Sequence, residues 1–110
     1  MEFVLKPLEN SITVSRIANV HFFEFASSYF TENDRHPFCE LVFVSEGELR
    51  VTSEDFCGTL RKNEMILHRA GEMHSLSCSE DASPTVVILG FDMNSITRST
   101  ARASCIWVYD

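Results

Sequence analysis

The chain has 110 residues, of which 45% are hydrophobic, and it carries a formal net charge of -7. This length and hydrophobic share predict a single domain, residues 1–110, with a core of its own. The acidic balance and the scattered Lys and Arg disfavour a free-standing nucleic-acid-binding protein, because phosphate contacts need clustered basic residues. Residues 1–11 lack the apolar centre of a signal peptide, and no apolar run is long enough to span a membrane. We therefore expect a cytoplasmic protein with reduced cysteines.

The first third of the chain is predicted to contain an arm and two strands. Residues 1–11 include Pro7 and are interpreted as an irregular N-terminal arm. Ile12–Ser15 and Val20–Phe25 are rich in β-branched or aromatic residues and follow as strands. Residues 26–35 are polar and connect them to the next strand.

Short strands separated by turns are predicted for the middle of the chain. The run Leu41–Val44 is apolar on both faces, which is typical of a central strand. Alternation places Glu40 with Val42 and Val44 on one of those faces. Further strands are predicted over residues 48–53, 56–60, 65–68, 74–78 and 86–91. This rhythm predicts an antiparallel sandwich or barrel, with residues 12–92 as its core.

The last segment, residues 93–110, is predicted to be a polar connection followed by a final strand over residues 104–109. No stretch has the periodicity of an amphipathic helix. The chain is therefore predicted to be all-β and to contain no helix-turn-helix unit.

Three ionisable residues, His36, Glu40 and His74, lie beside or inside the apolar strands. Two histidines and one carboxylate are the ligand set of many non-haem iron sites. In a regular strand, which rises about 3.3 Å per residue, the first two would lie about 13 Å apart. Sharing a ligand therefore requires a bend, for which Pro37 is suited because it has no N–H for a sheet ladder. The alternative is hydrogen bonding among these groups, to the backbone or to an organic ligand.

The spacing of these residues resembles the two sequence motifs of the cupin superfamily. His36, Glu40 and Gly47 match the end of the first motif, which reads His, three residues, Glu, six residues, Gly. Gly71 and His74 match the second motif.

The chain departs from these motifs at four positions. Asp34 stands where the first motif has its first His. In the second motif, Asn63 replaces a Gly, Arg69 replaces a Pro and Cys78 replaces an Asn. Asp34 and Cys78 are therefore candidates for a further ligand beside the three matching residues.

Residues 23–92 further resemble the N-terminal effector domain of AraC-type transcription regulators, through CELVFVSEGELRV, LRKNEMILHRAGEMHSL and VVILGFD. The resemblance implies a cupin-type antiparallel β-sandwich or barrel, a double-stranded β-helix, that binds a small polar molecule and forms a homodimer. It implies no enzymatic activity and no certain cofactor, and DNA binding would belong to a C-terminal helix-turn-helix domain outside this chain. The implied ligand-binding residues are Asp34, His36, Phe38, Glu40, His74, Leu76 and Cys78, with Phe22 or Phe23 as a further wall and residues 1–11 folding over the ligand.

One alternative is a cupin that has retained no site, and another is a small metal-dependent cupin enzyme of the dioxygenase or isomerase type. A divalent metal would then be held by His36, Glu40 and His74. His21 and His68 lie among apolar neighbours and are interpreted as hydrogen-bonded or half-exposed histidines, not as ligands. Cys39 is expected on the face opposite Glu40.

Overall fold

A computed structural model describes residues 12–25, 30–31, 33–54, 56–78, 83–95 and 106–108 of this protein, and the regular structure within these residues consists of eight β-strands. They are β1 Ile12–Glu24, β2 Cys39–Glu46, β3 Leu49–Ser53, β4 Cys57–Leu60, β5 Glu64–His68, β6 His74–Ser77, β7 Thr85–Ser95 and β8 Ile106–Val108. Among the described residues, no helix is long and apolar enough to cross a membrane.

The strands form two antiparallel sheets. The large sheet has the order β1-β7-β2-β5-β8, and the small sheet has the order β4-β3-β6. The all-β antiparallel prediction is confirmed, and β2 lies at the centre of the large sheet as its two apolar faces indicated. The final strand, β8, pairs with β5 and so forms one edge of the large sheet.

The hydrophobic core lies between the inner faces of the two sheets. Alternation along β2 buries Val42 and Val44 completely, and the neighbouring strands add Ile66 and Val86. The small sheet contributes Leu49, Val51, Leu60 and Leu76, and the core is completed by Phe25 and Ile88. Each such side chain stabilises the fold by about 1.5–3 kcal/mol when it is withdrawn from water.

Three turns use residues with a positive φ angle. Gly47, after β2, has φ 75°, and Gly71, between β5 and β6, has φ 79°. Asn63, before β5, has φ 67°. Asn is one of the few side chains that tolerate this left-handed conformation, which explains how it can stand where the cupin motif has a Gly.

The outer face of the large sheet is also apolar. Cys39, Leu67 and Phe91 are buried there, with Leu41, Leu89 and Met93 packed against them. The edge strand β1 adds four exposed side chains: Val14 (52%), Ile17 (64%), Val20 (65%) and Phe22 (71%). All four belong to this face because their partners in β7 are Met93, Phe91, Leu89 and Val87.

Several boundaries differ from the predicted ones. The two strands predicted before residue 26 form one strand, β1, whose pairing with β7 has register shifts at Val14/Arg16 and Ile17/Asn19. β7 continues to Ser95, beyond the predicted end of the barrel core at residue 92. The arm over residues 1–11 and most of the connection after Ser95 lie outside the described residues.

Candidate functional site

A bend before β2 brings His36 back onto Glu40. Pro37 and Phe38 form a bend, and the strand begins only at Cys39. His36 Nε2 lies 3.3 Å from Glu40 Oε2, far closer than a straight strand would allow. The imidazole is fixed by Nδ1, which lies 2.8 Å from the carbonyl oxygen of Phe38, and by stacking on the Phe38 ring with centroids 4.1 Å apart.

His74 approaches the same carboxylate from the small sheet. It is 4% exposed at the start of β6, and its Nε2 lies 3.5 Å from Glu40 Oε1. Its Nδ1 lies 2.9 Å from the carbonyl oxygen of Glu72. Glu40 therefore joins the two sheets, with one imidazole near each carboxylate oxygen.

The hydrogen bonds of the two histidines determine which of their ring atoms can bind a ligand. A carbonyl oxygen only accepts, so Nδ1 carries the proton in both His36 and His74. In the neutral rings, Nε2 is then a lone-pair acceptor, and both Nε2 atoms face an acceptor, the Glu40 carboxylate. The buried Nε2 of His36 has no hydrogen-bond partner. The three groups are complementary to a ligand that supplies protons or positive charge.

The pKa values of Glu40 and His74 shift in opposite directions. Burial raises the pKa of Glu40, but the hydrogen bond and charge of His74, with the charges of His36 and His68, lower it below 4.5 in total. Burial lowers the pKa of His74, but the Glu40 hydrogen bond, the Glu72 carbonyl and the nearby carboxylates raise it above 6.5 in total. The carboxylate is therefore ionised at neutral pH and stabilises a proton on His74.

A second layer of ionisable residues lies behind His74. His68, on β5, pairs in register with Glu40 on β2, and its ring stacks on His74 with centroids 4.3 Å apart. It is fully buried, and neither of its ring nitrogens has a hydrogen-bond partner. Glu72 is 2% exposed and accepts a bond of 2.8 Å from Arg69 Nη2, while its Oε1 lies 3.6 Å from His68 Nδ1.

His68 is neutral at physiological pH. Burial, followed by the charge of His74, lowers its pKa from 6.5 to about 4, and the charges of Glu40 and Glu72 offset only part of this shift. The interpretation of His68 as half-exposed is wrong, because its side chain is fully buried, with Glu72 Oε1 3.6 Å from its Nδ1. That His68 is not a ligand stays a prediction. The position of His68 beside Glu40 depends on the pairing of β5 with β2, which the local sequence does not reveal.

A cavity of about 110 Å³ lies beside these groups. Among the described residues, its lining includes Asp34, Glu40, His74 and Thr31 on the polar side. Its apolar side is formed by Phe23, Phe25, Leu76 and Ile88. Asp34 is held at the opening by two backbone hydrogen bonds with His74, of 2.8 and 3.0 Å.

The structure does not bring every predicted site residue into this cavity, and its described lining does not include His36. Phe38 stacks on His36 and lines a separate groove, beside Arg16 and Asp92. Cys78 packs against the hydrophobic core. Phe22 is 71% exposed on the outer face, so the wall that was predicted from Phe22 or Phe23 is formed by Phe23.

The cluster has the donor atoms of a divalent-metal site. One ligand atom each from Asp34, His36 and His74 lies within 4.8 Å of the others. Glu40 adds oxygens 3.3 and 3.5 Å from the two imidazoles. Metal-binding histidines usually donate their second ring N–H to a carbonyl or carboxylate, as His36 and His74 do here. These residues therefore fit such an ion, and imidazole with carboxylate suits iron, manganese or zinc.

No protein-family model matches the chain, and no curated protein matches it. Solved structures do resemble it. A cupin superfamily protein from Desulfitobacterium hafniense has a TM-score of 0.58 and 17% identity, over 80% of this chain and 84% of that one. ToxT from Vibrio cholerae, in its apo form, has a TM-score of 0.60 and 10% identity, over 96% of this chain and 44% of that one.

Oxalate decarboxylase from Bacillus subtilis is a third similar structure. One variant has a TM-score of 0.57 and 20% identity, over 74% of this chain. The chain spans only 22% of that decarboxylase chain. Similarities at such identities concern the backbone, and they show that this chain has the cupin fold.

Proposed function

We propose that this chain is the sensor domain of an AraC-type transcription regulator and binds a small polar molecule in its interior cavity. The observation that carries the proposal is the cavity itself, where Asp34, Glu40 and His74 converge opposite an apolar wall. A few placed polar groups within an otherwise apolar pocket are typical of small-molecule sites. The proposed role is non-enzymatic and cytoplasmic.

The similarity to ToxT supports this role. ToxT is an AraC-family regulator, and the matched part is less than half of that chain. The net charge of -7 also supports a role in ligand binding for this domain, with DNA contacted by another domain.

The position of the cavity suggests how binding would be transmitted. Glu40 belongs to the large sheet, His74 to the small sheet, and Asp34 to the segment that bridges to β6. A ligand that contacts all three would hold the two sheets and this segment in one arrangement. It can shift the conformational equilibrium only by its difference in affinity for the two states.

A thermal-shift screen tests the proposal. The wild-type chain is exposed to sugars, polyols, amines, amino acids and carboxylates, beside the Glu40→Gln and Glu46→Gln variants. Glu46 is an exposed glutamate paired with Lys62, and it serves as the matched control. A ligand at ~100 times its Kd adds about 2.7 kcal/mol, a rise in Tm on the order of 10 °C. The proposal fails if no compound raises the Tm, or if Glu40→Gln responds like the control.

We also propose that the outer face of the large sheet is the interface between two copies of the chain. β1 is a 13-residue edge strand that exposes Ile17, Val20 and Phe22 next to the apolar cluster of Leu41 and Leu89. A second copy related by a two-fold axis would cover both the apolar face and the open strand edge.

Light scattering over a tenfold dilution tests this interface. We expect a dimer for the wild type and for Phe30→Ser, which removes an equally exposed phenylalanine elsewhere, and a monomer for Phe22→Ser. A wild-type monomer at every concentration would contradict the proposal.

A metal-dependent cupin enzyme is the second candidate function, and the convergence of the two Nε2 atoms on Glu40 favours it. His36, Glu40 and His74 would hold the ion, which would act as a Lewis acid towards a substrate in the cavity. Elemental analysis of protein purified without a metal-affinity step tests this candidate. Stoichiometric metal that His36→Ala abolishes and His21→Ala retains would support it.

A further inference from the structure

The polar groups that line the cavity are acceptors or are already engaged. Asp34 and Glu40 are carboxylates, and His74 directs Nδ1 to the Glu72 carbonyl and Nε2 towards Glu40. The Thr31 hydroxyl accepts a hydrogen bond of 2.9 Å from the Leu76 N–H. Among the described lining residues, none is Lys or Arg.

Two guanidinium groups that are close in sequence to lining residues contact other carboxylates. Arg35, next to Asp34, pairs with Glu54, and Arg69 donates a hydrogen bond to Glu72. The described lining therefore holds two carboxylates, Asp34 and Glu40, and no basic Lys or Arg side chain to compensate them. A charge that is partly withdrawn from water is costly unless an opposite charge is placed beside it.

We infer that the cavity binds a small organic ammonium group, whose charge lies between Asp34 and Glu40 and whose carbon portion lies against Phe23 and Phe25. This inference rests on the proposed function and names its ligand class. An ammonium supplies three N–H donors and a positive charge, which are the two things that this set of acceptors lacks.

The apolar side of the cavity indicates a ligand with a carbon portion. The Phe23 and Phe25 rings stack with centroids 5.4 Å apart, and Leu76 and Ile88 complete the wall. Aromatic faces attract cations as well as carbon. The volume of about 110 Å³ corresponds to about four water molecules at ~30 Å³ each, so a short primary amine fits it.

Other ligand classes fit less well. A carboxylate would meet two like charges. An alcohol would supply donors but leave the charge uncompensated. A bare metal ion would satisfy the acceptors and leave the aromatic wall without a function.

Calorimetry on chelator-treated wild-type protein tests the inference, with propylammonium, 1-propanol and propionate as matched probes. We expect propylammonium to bind, 1-propanol to bind at least tenfold more weakly, and propionate not to bind. Loss of a hydrogen bond to a charged group predicts binding about 10- to 100-fold weaker in Glu40→Gln. Asp34→Asn, at the exposed opening, gives a second test if Glu40→Gln does not fold, and Glu46→Gln should match the wild type.

The outcomes separate the two proposals. Binding of propionate, or equal binding of 1-propanol and propylammonium, overturns the ammonium inference. So does stoichiometric binding of Mn²⁺ or Zn²⁺ by a protein that ignores propylammonium. If a neutral polar compound from the thermal-shift screen binds in a Glu40-dependent manner and no amine does, the inference fails while the proposed sensor function stands. If no compound binds at all, both fail.

Discussion

The clearest physical test of this interior concerns His68. The side chain is fully buried, lacks a hydrogen-bond partner at either nitrogen, and has a pKa lowered from 6.5 to about 4, chiefly by burial. Between these two values the unfolded chain binds a proton at His68 that the folded chain does not bind. The free energy of unfolding must therefore decrease as the pH falls from 6.5 to 4. At about 1.4 kcal/mol per pKa unit, the loss from this one residue reaches about 3 kcal/mol.

The shifted pKa values of His74 and Glu40 do not make the free energy of unfolding depend on pH in the same range. The raised pKa of His74 contributes stability that is complete below 6.5 and lost only as the pH rises above it. The lowered pKa of Glu40 contributes stability that is present above 4.5 and lost only as the pH falls below it. Of these three residues, only His68 makes the free energy of unfolding depend on pH between 6.5 and 4.5.

The assay is urea denaturation, followed by circular dichroism, at several pH values from 7 to 4.5. His68→Leu replaces the imidazole by an apolar side chain of similar size, and His21→Leu removes an exposed histidine as a control. We expect His68→Leu to be as stable as the wild type or more stable at pH 7, since an unpaired buried polar group is removed. Between pH 6.5 and 4.5, the free energy of unfolding of His68→Leu should change less with pH than that of the wild type. Equal slopes in the wild type and His68→Leu would refute the reasoning.

The remaining predictions concern the core, a close backbone approach and DNA. Ile66→Ala, at a fully buried position, should lower the free energy of unfolding by about 2–5 kcal/mol, whereas Val14→Ala, 52% exposed, should change it by about 0.5 kcal/mol or less. Gly90→Ala should cost about 1–3 kcal/mol in the same urea assay, because the new Cβ would lie 2.8 Å from Asn19 Oδ1 and from the Phe38 ring. A gel shift at ~150 mM salt should show no tight binding of duplex DNA by this chain, and a tight complex would contradict its acidic charge balance.

Local sequence predicted the strands where alternation and turn residues were regular. The inner face of β2 and its central position followed from its two apolar faces. β1 was predicted as two separate strands, over Ile12–Ser15 and Val20–Phe25. Val14, Ile17 and Val20 are three residues apart, and only the register shifts opposite β7 place them on one face. Such irregularities depend on the partner strand and leave no mark in the strand's own pattern.

The site was predictable to the extent that it depends on motif spacing. His36, Glu40 and His74 were selected from their spacing, and Pro37 from the need for a bend. His68 required knowledge of the β2–β5 register, which pairs it with Glu40 across 28 positions of sequence. Phe38 was predicted as part of the apolar wall, but its ring stacks on the imidazole of His36.

Three of the four departures from the cupin motifs are compatible with the same backbone, and the fourth changes the charge of the site. Asn63 adopts the positive φ angle of the glycine that it replaces, and Cys78 packs into the core. Arg69, in place of a proline, bonds to Glu72, whose carbonyl orients His74. Asp34 is different, because a neutral imidazole is replaced by a carboxylate at the cavity opening. The backbone is therefore retained while the site gains a carboxylate, and because function depends on the site more than on the fold, the proposed ligand must first of all match this group.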